Sequence, residues 1–368
     1  MSGLMKALVY GGPGIRSWKS VPIPKLLRPT DAIVKLTSTT ICGTDLHISA
    51  GDVPACKPGT ILGHEGIGII DSIGSDVKNF QKGDKVIISC ITNCNSCFYC
   101  KNNLQSHCLD GGWILGYKID GTQAEYVRIP HANSSLYKVP KSASDESLLM
   151  LSDILPTSYE IGVLSGKIKQ GDSVAIVGAG PVGLSCLLTV SNFKPSKVIM
   201  IDLDDNRLAA SRRFGATHAV NPKRVSSVKD EIEKITSDIT AKRTNGVIPQ
   251  DDLSGVDVAI ECVGVPAAFD TCQEIIAPGG RIANVGVHGK KVDLRLQDLW
   301  IKNIGITTGL VSAFSTEELL SRILKGEIDS SKLVTHRFKM SEMEKAYEVF
   351  SNASSNGAIK TFIKADDA

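Results

Sequence analysis

The chain has 368 residues, with 41 basic and 39 acidic side chains and a formal net charge of +2. That length suits two domains with sizeable cores, and the balanced charge excludes a basic face for nucleic acid or an anionic membrane. No apolar run approaches the roughly 20 residues that cross a bilayer, and ten cysteines behind an N-terminus with no signal-peptide pattern point to a reducing, cytoplasmic setting.

Residues 5–90 read as a β-rich module. Lys6-Ala7-Leu8-Val9-Tyr10, Ala32-Ile33-Val34-Lys35-Leu36 and Lys85-Val86-Ile87-Ile88 are short apolar runs separated by Gly, Pro and Asp. Two clusters interrupt them: Ile41-Cys42-Gly43-Thr44-Asp45-Leu46-His47 and Leu62-Gly63-His64-Glu65-Gly66. By spacing alone, Cys42 and His64 fit a buried cysteine and a satisfied core histidine as well as a metal site.

Cys94, Cys97, Cys100 and Cys108 follow the spacing C-x2-C-x2-C-x7-C. Four thiolates this close, in a reducing setting, form a closed tetrahedral zinc site of the structural kind. The polar residues between them could not bury four free thiols. Four ligands fill such a site, so Cys90 and His107 on its flanks read as bystanders.

Residues 109–150 return to strand and loop. Leu151-Ser152-Asp153-Ile154-Leu155-Pro156-Thr157 then leads into a helix. The stretch Ser173–Asp202 reads as strand, turn, helix, strand. Its turn, Gly178-Ala179-Gly180-Pro181-Val182-Gly183, has the form G-x-G-x-x-G. Gly178 permits the sharp turn, Gly180 lets a pyrophosphate approach the backbone, and Gly183 lets the helix pack close. The helix N-terminus offers free N–H groups to the phosphates. Asp202 lies about 20 residues on, where a carboxylate accepts from an adenosine ribose. It repels a 2′-phosphate, and Asp204 and Asp205 add charge, so NAD is expected over NADP despite Arg207.

Apolar runs near 174–177, 197–201, 217–220, 256–260, 281–285 and 304–308 supply six parallel strands of a doubly wound sheet. Residues 237–255 read as a polar surface loop. A helix near Thr316–Leu324, another near Ser341–Phe350 and a strand Ile359–Ile363 close the chain.

Together, Cys42-Gly43-Thr44-Asp45-Leu46-His47, Gly63-His64-Glu65-Gly66, the four-cysteine lobe and Gly178–Gly183 resemble the zinc-dependent medium-chain alcohol dehydrogenase family, in order and over nearly the whole chain. The resemblance implies an α/β architecture: a Rossmann doubly wound parallel sheet plus a split, β-rich GroES-like catalytic domain carrying the structural zinc lobe. The expected domains are 1–156 (lobe about 90–110), 157–299 for NAD, and 300–368 returning to the catalytic domain, with the active site in the cleft between.

The resemblance also assigns residues. Cys42 and His64 match two ligands of a catalytic zinc, so two zinc ions per chain are expected. The third ligand position holds Asp153 where much of the family has cysteine, a departure that resembles the secondary-alcohol branch. Glu65 matches a glutamate that can approach the metal. Thr44 and His47 match a proton relay. Thr157, Val263, Val285, Val287, Arg207 and Lys360 match cofactor contacts, the last at the pyrophosphate. Trp113 and Tyr117 match or neighbour an aromatic lining of the substrate pocket, though core packing explains them equally. The implied activity is NAD-dependent interconversion of alcohols, secondary ones in particular, with ketones or aldehydes. The implied assembly is a homotetramer or a dimer. A polyol dehydrogenase is the close rival, since it uses a similar carboxylate-bearing site. A zinc-stabilised nucleic-acid binder is the distant one, and its basic face is missing.

Overall fold

The structure is a computed structural model that describes residues 3–245, 247 and 253–367. It divides into two compact units, Met1–Pro156 with Val311–Ala368, and Thr157–Leu310.

The first unit opens with a hairpin of β1 (Leu4–Gly12) and β2 (Ile15–Pro22). The strands β3 (Ala32–Thr39), β4 (Gly66–Ile73), β5 (Lys85–Ile88), β6 (Tyr126–Ile129) and β7 (Leu136–Lys138) then form an antiparallel sheet. β5 is buried throughout, which is why it reads as an unbroken apolar run. One core joins Leu8, Val34, Leu36, Ile70, Val86, Ile88 and Val127 to Met343, Ala346 and Tyr347 near the C-terminus. Each such side chain, fully buried, contributes about 1.5–3 kcal/mol. That attachment is what returns the last 58 or so residues to this unit.

The second unit holds β8 (Ser173–Val177), β9 (Lys197–Ile201), β10 (His218–Val220), β11 (Val256–Glu261), β12 (Ile276–Asn284) and β13 (Gly305–Thr308). All pair in parallel, in the order β10-β9-β8-β11-β12-β13. This is the Rossmann order, 3-2-1-4-5-6, and the six expected strands are its six members. Because β13 pairs with β12, residues 300–310 stay in this unit instead of the returning segment expected from 300. The chain order reverses between β8 and β11, and ligands bind at the carboxyl ends of strands at such a point.

The expected loop over 237–255 needs correction. A helix runs Val228–Arg243, capped by Ser227, whose hydroxyl accepts from the Asp230 N–H. Val228, Ile232, Ile235 and Ile239 keep helical spacing beneath polar neighbours. Acids in its first turn and Lys242 and Arg243 in its last suit the helix dipole. The remaining loop includes 246 and 248–252, which lie outside the described residues.

The chain returns to the first unit through helices Thr316–Leu324 and Met343–Ser351. Strands β14 (Val334–Lys339) and β15 (Lys360–Lys364) pair in parallel, and β15 joins β3 to complete the sheet. Among the described residues, no helix is long and apolar enough to cross a membrane.

Candidate active site and metal centres

Three local structures deliver the first cluster. Cys42 stands before the helix Gly43–Ala50, and the Asp45 carboxylate accepts from its backbone N–H at 2.9 Å. That contact fixes the entry of the helix and with it the thiol. Gly63 has φ +92°, and a Cβ there would meet Gln123 Cγ at 2.6 Å. Only glycine makes that turn, which feeds His64 and Glu65 into β4. Asp153 occupies the break between a 3₁₀ turn, Leu149–Ser152, and the short helix Ile154–Thr157.

These residues converge within the first unit. Cys42, His64, Glu65 and Asp153 each offer one metal-ligating atom, and the four atoms lie within 4.8 Å of one another. Asp153 Oδ2 is 3.2 Å from His64 Nε2 and 3.7 Å from Cys42 Sγ. Burial opposes a charge on His64, but hydrogen bonds with Asp153, Asp45 and Cys42 outweigh it and raise its pKa well above the ordinary value. Glu65 Oε2 is buried and has no hydrogen-bond partner among the described residues. A thiolate, an imidazole and a carboxylate, with a spare carboxylate oxygen beside them, fit a divalent zinc ion.

Lys360, expected at a pyrophosphate, is spoken for. Its ammonium lies 2.6 Å from Glu65 Oε1 and donates to the Ile41 carbonyl at 3.1 Å. Burial works against its charge, but Glu65, Cys42 and Asp153 outweigh that and raise its pKa. Burial also raises the Glu65 pKa, against the pull of Lys360.

The second cluster is the cysteine lobe. The sulfurs of Cys94, Cys97, Cys100 and Cys108 lie within 4.8 Å of one another. Burial opposes the thiolate at Cys94, but hydrogen bonds from Ser96 and the Cys97 N–H bring its pKa down to about 6. Burial and the neighbouring thiols Cys97 and Cys108 push Cys100 up to about 12. Four thiolates cannot ionise together here without a cation among them, which fits structural zinc. His107 packs its ring against Tyr99 at 6.0 Å. Cys90 stands outside this lobe, as expected. Its sulfur lies 3.5 Å from Asp153 Oδ1, beside the other cluster.

The relay residues sit on the helix Gly43–Ala50. Thr44 Oγ1 is 3.7 Å from Cys42 Sγ. His47 lies one turn on, with its side chain 58% exposed and Nδ1 3.0 Å from Asp52 Oδ2. The geometry puts a hydroxyl at the cluster and an imidazole in contact with solvent.

In the second unit, Gly178 has φ +104°, and a Cβ on Gly183 would collide with the Gly178 carbonyl. Turn and helix therefore both demand glycine. A Cβ on Gly180 would meet only Arg207 Nη1, at 3.9 Å, so the space above the turn is open. Pro181 and Val182 begin the helix Pro181–Val190, with proline in the first turn, where its missing N–H costs nothing. Asp202 accepts from the Ala179 N–H at 2.7 Å and from the Asp204 N–H at 2.8 Å. It braces the turn. Asp204 is a helix cap for Asn206 and Arg207, and Asp205 pairs with Arg224 at 3.1 Å. The charge expected from these two acids is thus partly engaged. Across the reversal, Val263 Cγ2 would press on a Gly178 Cβ at 2.7 Å, and Val263 and Val287 are exposed while Val285 is buried. Thr157 precedes Ser158, whose hydroxyl donates to the Val182 carbonyl at 3.1 Å.

Trp113 and Tyr117 stack, with ring centroids 4.2 Å apart. Tyr117 belongs to the main core, and Trp113 packs against both that core and a small cluster of Cys90, Ile91, Val311 and Ala313. Trp113 therefore reaches toward Cys90 and so toward Asp153.

Sequence reading missed a buried chain behind His64. Gln123 Nε2 donates to Asp45 Oδ2 at 3.1 Å, and Tyr347 donates to Gln123 Oε1 at 2.7 Å. Asp45 Oδ1 stands 3.6 Å from His64 Nδ1. The one local signal was the acid three residues after Cys42, a capping spacing. Gln123 and Tyr347 had none.

Comparison with known proteins gives concordant results. Two family models match, the alcohol dehydrogenase GroES-like domain over residues 28–141 and the zinc-binding dehydrogenase over residues 181–325. An alcohol dehydrogenase from Cupriavidus necator is 34% identical over 387 residues, covering 99% of this chain and 100% of that protein. The apo form of zinc dependent alcohol dehydrogenase 2 from Streptococcus pneumonia is 54% identical with TM-score 0.87, covering 98% of this chain and 99% of that one. A zinc-binding dehydrogenase from Sinorhizobium meliloti 1021, solved bound to NADP, is 27% identical with TM-score 0.83, covering 98% of this chain and 99% of its own.

Proposed function

This chain belongs to the zinc-dependent medium-chain alcohol dehydrogenase family, and from that premise we propose that it interconverts secondary alcohols and ketones with NAD(H). The observation that carries the reading is the convergence of Cys42, His64 and Asp153, whose ligating atoms lie within 4.8 Å of one another. A zinc ion held there would supply Lewis acidity toward an alcohol or carbonyl oxygen, and a bound nicotinamide would supply hydride chemistry.

The chain's own groups do the rest. Cys42, His64 and Asp153 are three protein ligands that leave a fourth position open to substrate. One thiolate and one carboxylate would balance the charge of a divalent ion held there. Glu65, tethered by Lys360, waits beside them as an alternative ligand. The Thr44 hydroxyl would take the alcohol proton as it gives up its own to the relay, and exposed His47 would exchange that proton with solvent. Gly178, Gly180 and Gly183 cradle the pyrophosphate at a helix N-terminus. Asp202 receives the ribose hydroxyls and disfavours a 2′-phosphate. Thr157, Val263, Val285 and Val287 flank the nicotinamide end, and Arg207 the adenosine. Cys94, Cys97, Cys100 and Cys108 hold a second zinc that stabilises fold and not chemistry. The enzyme works in the cytoplasm as a homotetramer.

The stacked pair Trp113 and Tyr117 supplies an apolar wall, which favours a simple secondary alcohol over a sorbitol-type polyol. An activity panel of 2-butanol against sorbitol, each with NAD and NADP, tests the reading through nicotinamide absorbance. Turnover of 2-butanol with NAD supports it, and turnover confined to sorbitol or to NADP overturns it.

A further inference from the structure

We infer that Cys90 is a positioning residue for Asp153: its thiol holds one carboxylate oxygen so that only the other turns to the metal. The inference rests on the reading of Asp153 as a zinc ligand.

The two oxygens of Asp153 face different partners. Oδ2 lies toward His64 Nε2 at 3.2 Å and Cys42 Sγ at 3.7 Å, in the ligand cluster. Oδ1 is 3.5 Å from the Cys90 sulfur, within reach of an S–H donor. A carboxylate held at neither oxygen can rotate, and its ligand oxygen then leaves the cluster. A thiol on Oδ1 keeps Oδ2 turned toward His64 and Cys42.

Cys90 is built to hold that place. It follows β5, is 2% exposed, and its backbone N–H donates to the Ser152 carbonyl at 2.9 Å. The loop carrying the thiol and the turn carrying the carboxylate are therefore pinned together one residue from Asp153. Ile91, Val311, Ala313 and Trp113 close around the sulfur. In that apolar surrounding the carboxylate is the acceptor the thiol has reason to seek. Groups that orient a metal ligand from behind typically change metal affinity about 10–100-fold when removed.

The experiment uses the full chain loaded with zinc, and measures release of each ion to a competing chelator. Cys90→Ala and Cys90→Ser are compared with the unmodified protein and with Asp153→Asn. The lobe zinc is the internal control. Expected for Cys90→Ala is about a tenfold or greater loss of affinity for the catalytic zinc alone, together with a lower kcat. Cys90→Ser, which keeps a donor, should recover most of both. If Cys90→Ala does not fold, Cys90→Val fills the space without a strong donor and takes its place. Cys90 as mere core filler predicts unchanged zinc affinity, or a serine variant no better than alanine, and either result overturns the inference. If Asp153→Asn keeps both zinc ions, the ligand assignment itself has failed. If Asp153→Asn loses one ion while Cys90→Ala holds both normally, only the role of Cys90 has failed.

Discussion

Lys360 and Glu65 form an ion pair with both side chains 1% exposed and 2.6 Å between Nζ and Oε1. They come from opposite ends of the chain, on β15 and just before β4, and they meet at the edge of the ligand cluster. A pair this dry is neutral or weak in its own right, but removing one partner strands the other. Lys360→Met should therefore cost about 3–5 kcal/mol in urea denaturation at neutral pH. The sign with pH follows from burial, which raises the Glu65 pKa in the fold. The variant should recover stability as pH falls and Glu65 takes a proton, and lose it as pH rises. Adding Glu65→Gln should restore most of the loss at neutral pH. An intact Lys360→Met protein would mean that the pair contributes nothing.

Cofactor choice turns on Asp202. The unmodified enzyme should bind NADH well ahead of NADPH, measured by quenching of nicotinamide fluorescence. Asp202→Gly with Leu203→Arg should move preference toward NADPH, since Leu203 is exposed and has room for a basic side chain. The change also removes two hydrogen bonds to the turn, from Ala179 and Asp204. Each bond to a charged group is worth about 1.5–3 kcal/mol, so the variant should lose stability as well. Equal use of NADPH by the unmodified enzyme would remove Asp202 as the determinant.

The cysteine lobe should separate stability from chemistry. Cys100→Ser should lower Tm and zinc content together, while turnover per zinc-loaded active site survives at low temperature. A serine variant with full zinc content and unchanged Tm would show that the four sulfurs hold no structural ion.

The relay can be split between its two members. Thr44→Val keeps shape but removes the hydroxyl beside Cys42, and kcat should fall by about 10²–10⁴. His47→Gln should be milder, because His47 already stands in solvent and buffer can replace it. Added imidazole should restore the His47 variant and leave the Thr44 variant unchanged. A Thr44→Val enzyme with full kcat would exclude the hydroxyl from proton transfer.

The Rossmann unit was legible because its central strands β8, β9 and β11 are largely buried and read as apolar runs, and because Gly178 and Gly183 answer to local sterics. The cysteine lobe was legible because its four ligands lie close in sequence. The helix Val228–Arg243 was not, since its solvated face outnumbers the isoleucines beneath. The contacts of Cys90 with Asp153, and of Tyr347 with Gln123, join residues far apart in the chain, and no local spacing announces them. The pairing of Lys360 with Glu65 was not legible either, since it too joins residues far apart in the chain.

The central claim is that Asp153 completes the catalytic zinc site, and Asp153→Asn tests it most directly. A cap for the helix after it would be the bland alternative, worth about 0.5–2 kcal/mol of stability and nothing in turnover. Asparagine keeps the capping oxygen and removes the charge. Zinc per chain, measured by atomic emission on folded protein that still binds NADH, decides between the two. One zinc fewer, with most turnover lost, is the predicted result. Two zinc ions with near-normal turnover would contradict the claim and leave Glu65 as the next third ligand to test.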